Sequence, residues 1–254
     1  MTDRAQREAR EREAALAERR RRRLWQLGAT VVVAGAIVAI AIAIGSAGDN
    51  PGTVTGPPEG VAEVNALFRG IPQRDFVLGD PSAPATLVEF ADLQCPFCGE
   101  FARDVLPDVV RRYVRTGRVR LMFRALAFIG DGKQSERAAR MALAAGEQDK
   151  QWQFAELVFR NQGDEDAGWV TDDYLRRIGT AVGLDVERAF RDRDGPRVTG
   201  LLAGSKHEAK VAGIESTPSF TVQLPGGKAR LLPVDDPGSA EKFTKRLDEA
   251  LAGE

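Results

Sequence analysis

A chain of 254 residues with 36 basic and 37 acidic side chains allows one or two domains. Its single histidine and two cysteines supply too few ligands for a mononuclear zinc centre, which wants about four, unless two chains share one. Nine arginines face five acids in residues 1–23, leaving 27 basic against 32 acidic residues elsewhere, so no nucleic-acid surface is expected on the main part, since phosphate binding needs a basic face.

In chain order, residues 1–23 carry helix formers with i,i+4 charge pairs and end in Arg19-Arg20-Arg21-Arg22-Arg23. They read as a solvated, cytoplasmic tail that fixes topology and can meet anionic headgroups. Leu24–Ile44 follows without a charge. At about 1.5 Å per residue, such a helix spans a hydrocarbon core of ~30 Å. The arginines keep their flank cytoplasmic and Trp25 sits at interface level, so 24–44 is expected to be a single transmembrane helix with the remainder extracytoplasmic. The competitor is a cleaved signal peptide with Gly45-Ser46-Ala47 as its site, but the apolar stretch exceeds the usual length of such a region. No cysteine lies near residue 45, which excludes a lipid-modified cysteine anchor. Residues 45–72 read as a linker rich in Gly, Pro, Thr and Ser, with one or two helical turns over Val61–Phe68.

The folded part is expected from Gln73. Asp75–Leu78 reads as a short strand and Ala85–Ala91 as the central one. Cys95 to Thr116 is helical, with Phe101, Val105, Val109 and Tyr113 on one face. Pro107 either kinks this helix or starts a second one. Val119–Arg124 alternates as a strand, completing a β-α-β unit with parallel strands. Helical patterns follow over Gln134–Ala145, Gln151–Arg160, Asp172–Val182, Val186–Asp192 and Pro196–Ala212. Ser219–Val222 and Ala229–Leu232 form a hairpin about Pro225-Gly226-Gly227, and Ser239–Leu251 is a closing helix. Trp152, Phe154, Phe159 and Trp169 are expected in the core rather than in a ligand site.

Both cysteines fall in Cys95-Pro96-Phe97-Cys98, between the central strand and a helix. A C-x-x-C at such a junction is a reactive thiol pair. The helix N-terminus aims free N–H groups and partial positive charge at the first sulfur, which favours the nucleophilic thiolate. A purely structural disulfide here would close too small a loop to constrain the unfolded chain much.

From Ile71 onward the chain resembles the DsbA-like branch of the thioredoxin superfamily, in its membrane-anchored bacterial form. The motifs are Gly79-Asp80-Pro81-Ser82-Ala83-Pro84, Glu89 through Cys98, and Gly213 through Phe220. The resemblance implies an α/β thioredoxin-like fold over 73–254 with an inserted helical block at about 126–212. It implies that Cys95 is the exposed nucleophile, Cys98 the buried resolving thiol, Pro96 and Phe97 the pair that tunes potential, and Thr217-Pro218 a cis-proline loop that meets substrate peptide. It makes Glu89 a buried acid assisting proton transfer; the alternative for a mid-strand acid is to face water on the sheet's other side. Phe97 is equally a substrate contact or an exposed spacer. Phenylalanine stands where the family often has histidine, which removes one thiolate stabiliser, and His207 lies on a polar helical stretch.

The implied function is disulfide introduction into exported cysteine-containing proteins. The redox-active Cys95–Cys98 disulfide replaces any separate cofactor, and a membrane quinone-linked reoxidase restores it. A reductase or isomerase of the same fold, or a non-catalytic binding or chaperone module, are the rival readings.

Overall fold

The computed structural model describes residues 57–253. The expected cytoplasmic tail (1–23), the expected transmembrane helix (24–44) and the expected linker as far as 56 lie outside the described residues. Among those described, no helix is long and apolar enough to cross a membrane.

The folded unit starts earlier than Gln73. Helix α1, Val61–Phe68, buries Val64 and Phe68, and the Phe68 ring meets Trp152 at 6.4 Å between centroids. The helical turns expected over Val61–Phe68 are present, and they belong to the packed fold rather than to the linker, because those two side chains give α1 an apolar face to bury. The expected strand at Asp75–Leu78 is a tight hairpin of β1, Gln73–Arg74, and β2, Val77–Leu78. Asp75 makes the turn at φ 52°, a left-handed conformation that aspartate tolerates, and its N–H donates to Asp149 Oδ1 at 2.7 Å.

Strand β3, Ala85–Asp92, leads into helix α2, Pro96–Asp104. The chain breaks at Val105 and resumes as α3, Leu106–Val109, with Pro107 in its first turn, where no backbone N–H is needed. A π-helical turn, Val110–Val114, follows, and Gly117 at φ 71° ends it before β4, Val119–Leu126. Five helices separate β4 from the next strand, as the resemblance implies. They are α4, Lys133–Gly146; α5, Gln151–Arg160; α6, Asp172–Ala181; α7, Val186–Asp192; and α8, Pro196–Val211. Strands β5, Ser219–Gln223, and β6, Arg230–Leu232, precede α9, Ala240–Ala252.

The sheet order is β1-β2-β4-β3-β5-β6. Strands β3 and β4 are parallel, as the β-α-β connection requires, and the other pairings are antiparallel. All eight residues of β3 are buried, which explains its nearly unbroken apolar run. Successive side chains alternate between faces. Ala85, Leu87 and Ala91 join the larger core, whereas Val88 and Phe90 pack with Leu126, Ala209 and Ile214 on the other side. Trp152, Phe154, Phe159 and Trp169 lie in the larger core as expected.

Candidate active site

The site grows from the C-terminal end of β3. Asp92 is fully buried there, and its carboxylate accepts the N–H groups of Gln94 (2.9 Å), Phe128 (2.7 Å) and Ile129 (3.0 Å). Its own carbonyl accepts the Cys95 N–H at 3.0 Å. Gln162 Nε2 donates to the carbonyls of Leu93 (2.9 Å) and Cys95 (3.0 Å). A side chain at Gly99 would overlap Gln162 Oε1, so glycine there admits this clamp. Together these bonds fix the turn that presents Cys95 as the N-cap of α2, with Pro96 at the first helical positions.

The two sulfurs are electrostatically unlike. Hydrogen bonding by the Cys98 thiol pulls the Cys95 pKa down, against burial, to about 6; the Thr217 side chain and the N–H groups of Cys98 and Phe97 assist. Burial pushes Cys98 well above the ordinary thiol range, and its hydrogen bond to Cys95 and the charges of Cys95 and Glu89 add to the rise. Thr217 acts on Cys95 in two opposed ways. Its carbonyl lies 3.2 Å from Sγ and accepts from the thiol, which favours the neutral form, while its side chain favours the thiolate.

The Thr217–Pro218 bond is cis. Cys95 is only 4% exposed, so the expectation of an exposed nucleophile is corrected: the backbone of this loop, through the Thr217 carbonyl, rests against the sulfur. Cys98 is sealed at 0%, and Phe97 stands out at 57%.

Glu89 is buried in β3 on the face shared with Leu87 and Ala91, not turned to water. Burial, then the charge of Glu156, pushes its pKa up to about 8, and its Oε1 has no hydrogen-bond partner. His207 is exposed on α8, at a groove over the opposite face of the sheet floored by Val88 and Phe90, and it does not join the cysteines. Among the described residues, no group of His, Cys, Asp and Glu side chains could hold a metal ion.

The family model described as thioredoxin matches residues 72–249. The chain belongs to the thioredoxin family. Probable disulfide bond formation protein D of Bacillus cereus is 29% identical over 147 residues, covering 57% of this chain and 68% of that one. The crystal structure of BdbD from Bacillus subtilis (oxidised) superposes with a TM-score of 0.60 at 24% identity, over 72% of this chain and 98% of that one. A thioredoxin-like oxidoreductase from Silicibacter pomeroyi DSS-3 gives 0.53 at 30% identity, over 73% and 96%. Within its family this protein is a DsbA-like thiol–disulfide oxidoreductase.

Sequence reasoning missed Asp92, Gln162 and Glu156. Gln162 acts across 67 residues on Cys95, and Asp92 across 36 on Phe128, so local patterns carry no trace of either contact. The i,i+4 pair of Glu156 with Arg160 was visible, but its burial was not.

Proposed function

We propose that the protein introduces disulfides into exported proteins from the extracytoplasmic side of a membrane, tethered there by residues 24–44. The opposed shifts of the two thiols carry this reading: Cys95 falls to about 6 while Cys98 rises. A substrate thiolate attacks Sγ of Cys95 in the oxidised pair. The Cys95–Cys98 bond breaks, the Cys98 sulfur leaves with the electron pair, and Glu89 protonates it. A second substrate thiolate then attacks the substrate sulfur of the mixed disulfide. The substrate disulfide forms and Cys95 departs as a stable thiolate, since a low-pKa thiol leaves faster. Two electrons have passed from substrate to the cysteine pair. A quinone-linked membrane partner takes them up and restores the disulfide.

Pro96, Phe97, Thr217 and Pro218 form the substrate rim of this reading, with the half-exposed Phe97 ring as an apolar contact. The tether is supported by the uncharged Leu24–Ile44 stretch behind five consecutive arginines.

Titration of the pair against glutathione, with refolding of a reduced disulfide protein, tests the direction. A potential near DsbA's, about −120 mV, with active refolding supports an oxidase. One near thioredoxin's, about −270 mV, makes the protein a reductase. Full cellular function in Cys95→Ser would replace catalysis with a binding role.

A further inference from the structure

Glu156 is a buried acid that the exchange chemistry above leaves without a task. Along α5, Trp152, Glu156 and Phe159 share one face through spacings of four and three residues. The rings of Trp152 and Phe159 pack on Phe123, with centroids 5.7 and 6.4 Å apart. Phe123 is the register partner of Glu89 across β3 and β4. The helix face that carries Glu156 therefore covers the part of the sheet that carries Glu89, and Glu156 is 1% exposed.

Each acid has one oxygen buried without a partner, Oε1 of Glu89 and Oε2 of Glu156. A purely structural carboxylate would satisfy both oxygens, because an unpartnered buried one is costly. The other oxygen of Glu156 accepts from Arg160 Nε at 3.1 Å and Nη2 at 3.0 Å. Arg160 lines an open groove of about 350 Å³ between α1 and α3, with Glu63, Leu67, Arg111 and Arg115. From α2, Arg103 adds positive charge and donates to the Phe159 carbonyl at 2.7 Å. Cys98 thus feels the charge of Glu89, Glu89 that of Glu156, and Glu156 is paired with Arg160 at the wall of the open groove.

We propose that Glu156 positions the proton of Cys98 through Glu89: it reloads Glu89 after Glu89 has protonated the departing Cys98 sulfur, and it accepts the proton back when the disulfide re-forms. In the first direction Glu89 gives its proton to the Cys98 thiolate and becomes a carboxylate. Glu156 then protonates Glu89, its own carboxylate is held by Arg160, and solvent in the groove returns the proton. The reverse sequence drains the Cys98 proton during reoxidation. Two buried acids that feel each other titrate as a pair, so charging one drives the proton toward the other. Burial raises both, Glu89 to about 8 and Glu156 to about 7, with Arg160 and Arg103 pulling Glu156 down. The role rests on the exchange reading above, but the coupling itself does not.

The test follows Glu89 protonation against pH by isotope-edited infrared spectroscopy in reduced full-length protein, with no substrate present. Glu156→Gln removes the neighbouring charge, so the Glu89 midpoint falls, with at least a threefold smaller acid-to-carboxylate ratio at pH 8. Arg160→Gln, at the open groove, moves it the same way, because without its cation Glu156 takes the pair's first proton. This second variant keeps the test open should Glu156→Gln not fold. Exchange in Glu156→Gln slows severalfold at neutral pH and recovers with concentrated imidazole buffer, whereas in a Glu89→Gln background Glu156→Gln leaves the pH profile of exchange unchanged. An unmoved Glu89 midpoint in either folded variant overturns the proposal. Loss of all exchange activity in the wild type would overturn the exchange reading instead, with the Glu89–Glu156 coupling still measurable.

Discussion

Replacing Cys98 by alanine isolates the largest single cause of Cys95 activation. The Cys98 thiol is the leading hydrogen-bond partner that lowers Cys95 to about 6. A hydrogen bond to a charged acceptor contributes about 1.5–3 kcal/mol, and one pKa unit corresponds to about 1.4 kcal/mol. Cys98→Ala should therefore raise Cys95 by about one to two units. At pH 7 the thiolate fraction falls from about nine-tenths to between about a half and a tenth. Cys98→Ser keeps an O–H donor at the same place and should fall between wild type and the alanine variant. Iodoacetamide labelling rates from pH 4 to 9, read by mass spectrometry beside thiolate absorbance, give the three midpoints. Equal midpoints in the alanine and serine variants would refute the hydrogen-bond account, and a midpoint near 9 in the wild type would refute activation altogether.

Burial raises the Glu89 pKa from an unfolded 4.5 to about 8, so the stability it permits is complete below pH 4.5 and lost as pH rises through 8. Melting Glu89→Gln at pH 5 and pH 8.5 should show a smaller drop in Tm than the wild type shows; an equal or larger drop counts against a buried acid. Asp92→Asn keeps the shape but turns an N–H donor toward a turn built to donate to a carboxylate, and should cost about 2–4 kcal/mol in urea unfolding. Gly99→Ala should gain about 1 kcal/mol from helix propensity alone. Overlap with Gln162 Oε1 should instead displace that side chain, so Gly99→Ala and Gln162→Ala should slow Cys95 exchange alike and not additively. Additive effects would show that the two act separately.

Most element boundaries were legible because each lay where a local signal changed. Thr171, Asp185 and Ser239 cap α6, α7 and α9 by accepting N–H groups three residues on, and Gly117 sits in the left-handed conformation its position called for. The two-residue strands β1 and β2 are too short to show a period. Helix α1 was readable as a helix, but its docking was not, because that depends on Trp152, far along the chain. At the site, the order of the two thiols and the acid in mid-strand were readable. The covering of Cys95 was not, since it is set by a carbonyl 122 residues away. Nothing in the local pattern singles out Glu156, and only the packing of α5 on the sheet makes it a buried acid.

The unequal thiols also set how the potential must depend on pH. Cys95 is held at about 6 against an ordinary 9.0, so its stabilisation of the reduced form is complete above pH 9 and lost as pH falls through 6. At pH 7 the thiolate outweighs the thiol about tenfold, which is worth about 1.4 kcal/mol and makes the pair about 30 mV more oxidising than with an unperturbed thiol. Below pH 6, reduction takes up two protons with two electrons, and the potential should fall by about 59 mV per pH unit. Above it, only Cys98 binds a proton, and the slope should halve to about 30 mV, since a tenfold change in equilibrium constant is 29.6 mV for a two-electron couple. Potentials measured against glutathione at pH 4.5–5.5 and 6.5–7.5 would locate the break. A straight line of 59 mV per unit through pH 7.5 would mean that Cys95 stays protonated, and the chemistry that makes it a good leaving group would have no physical basis.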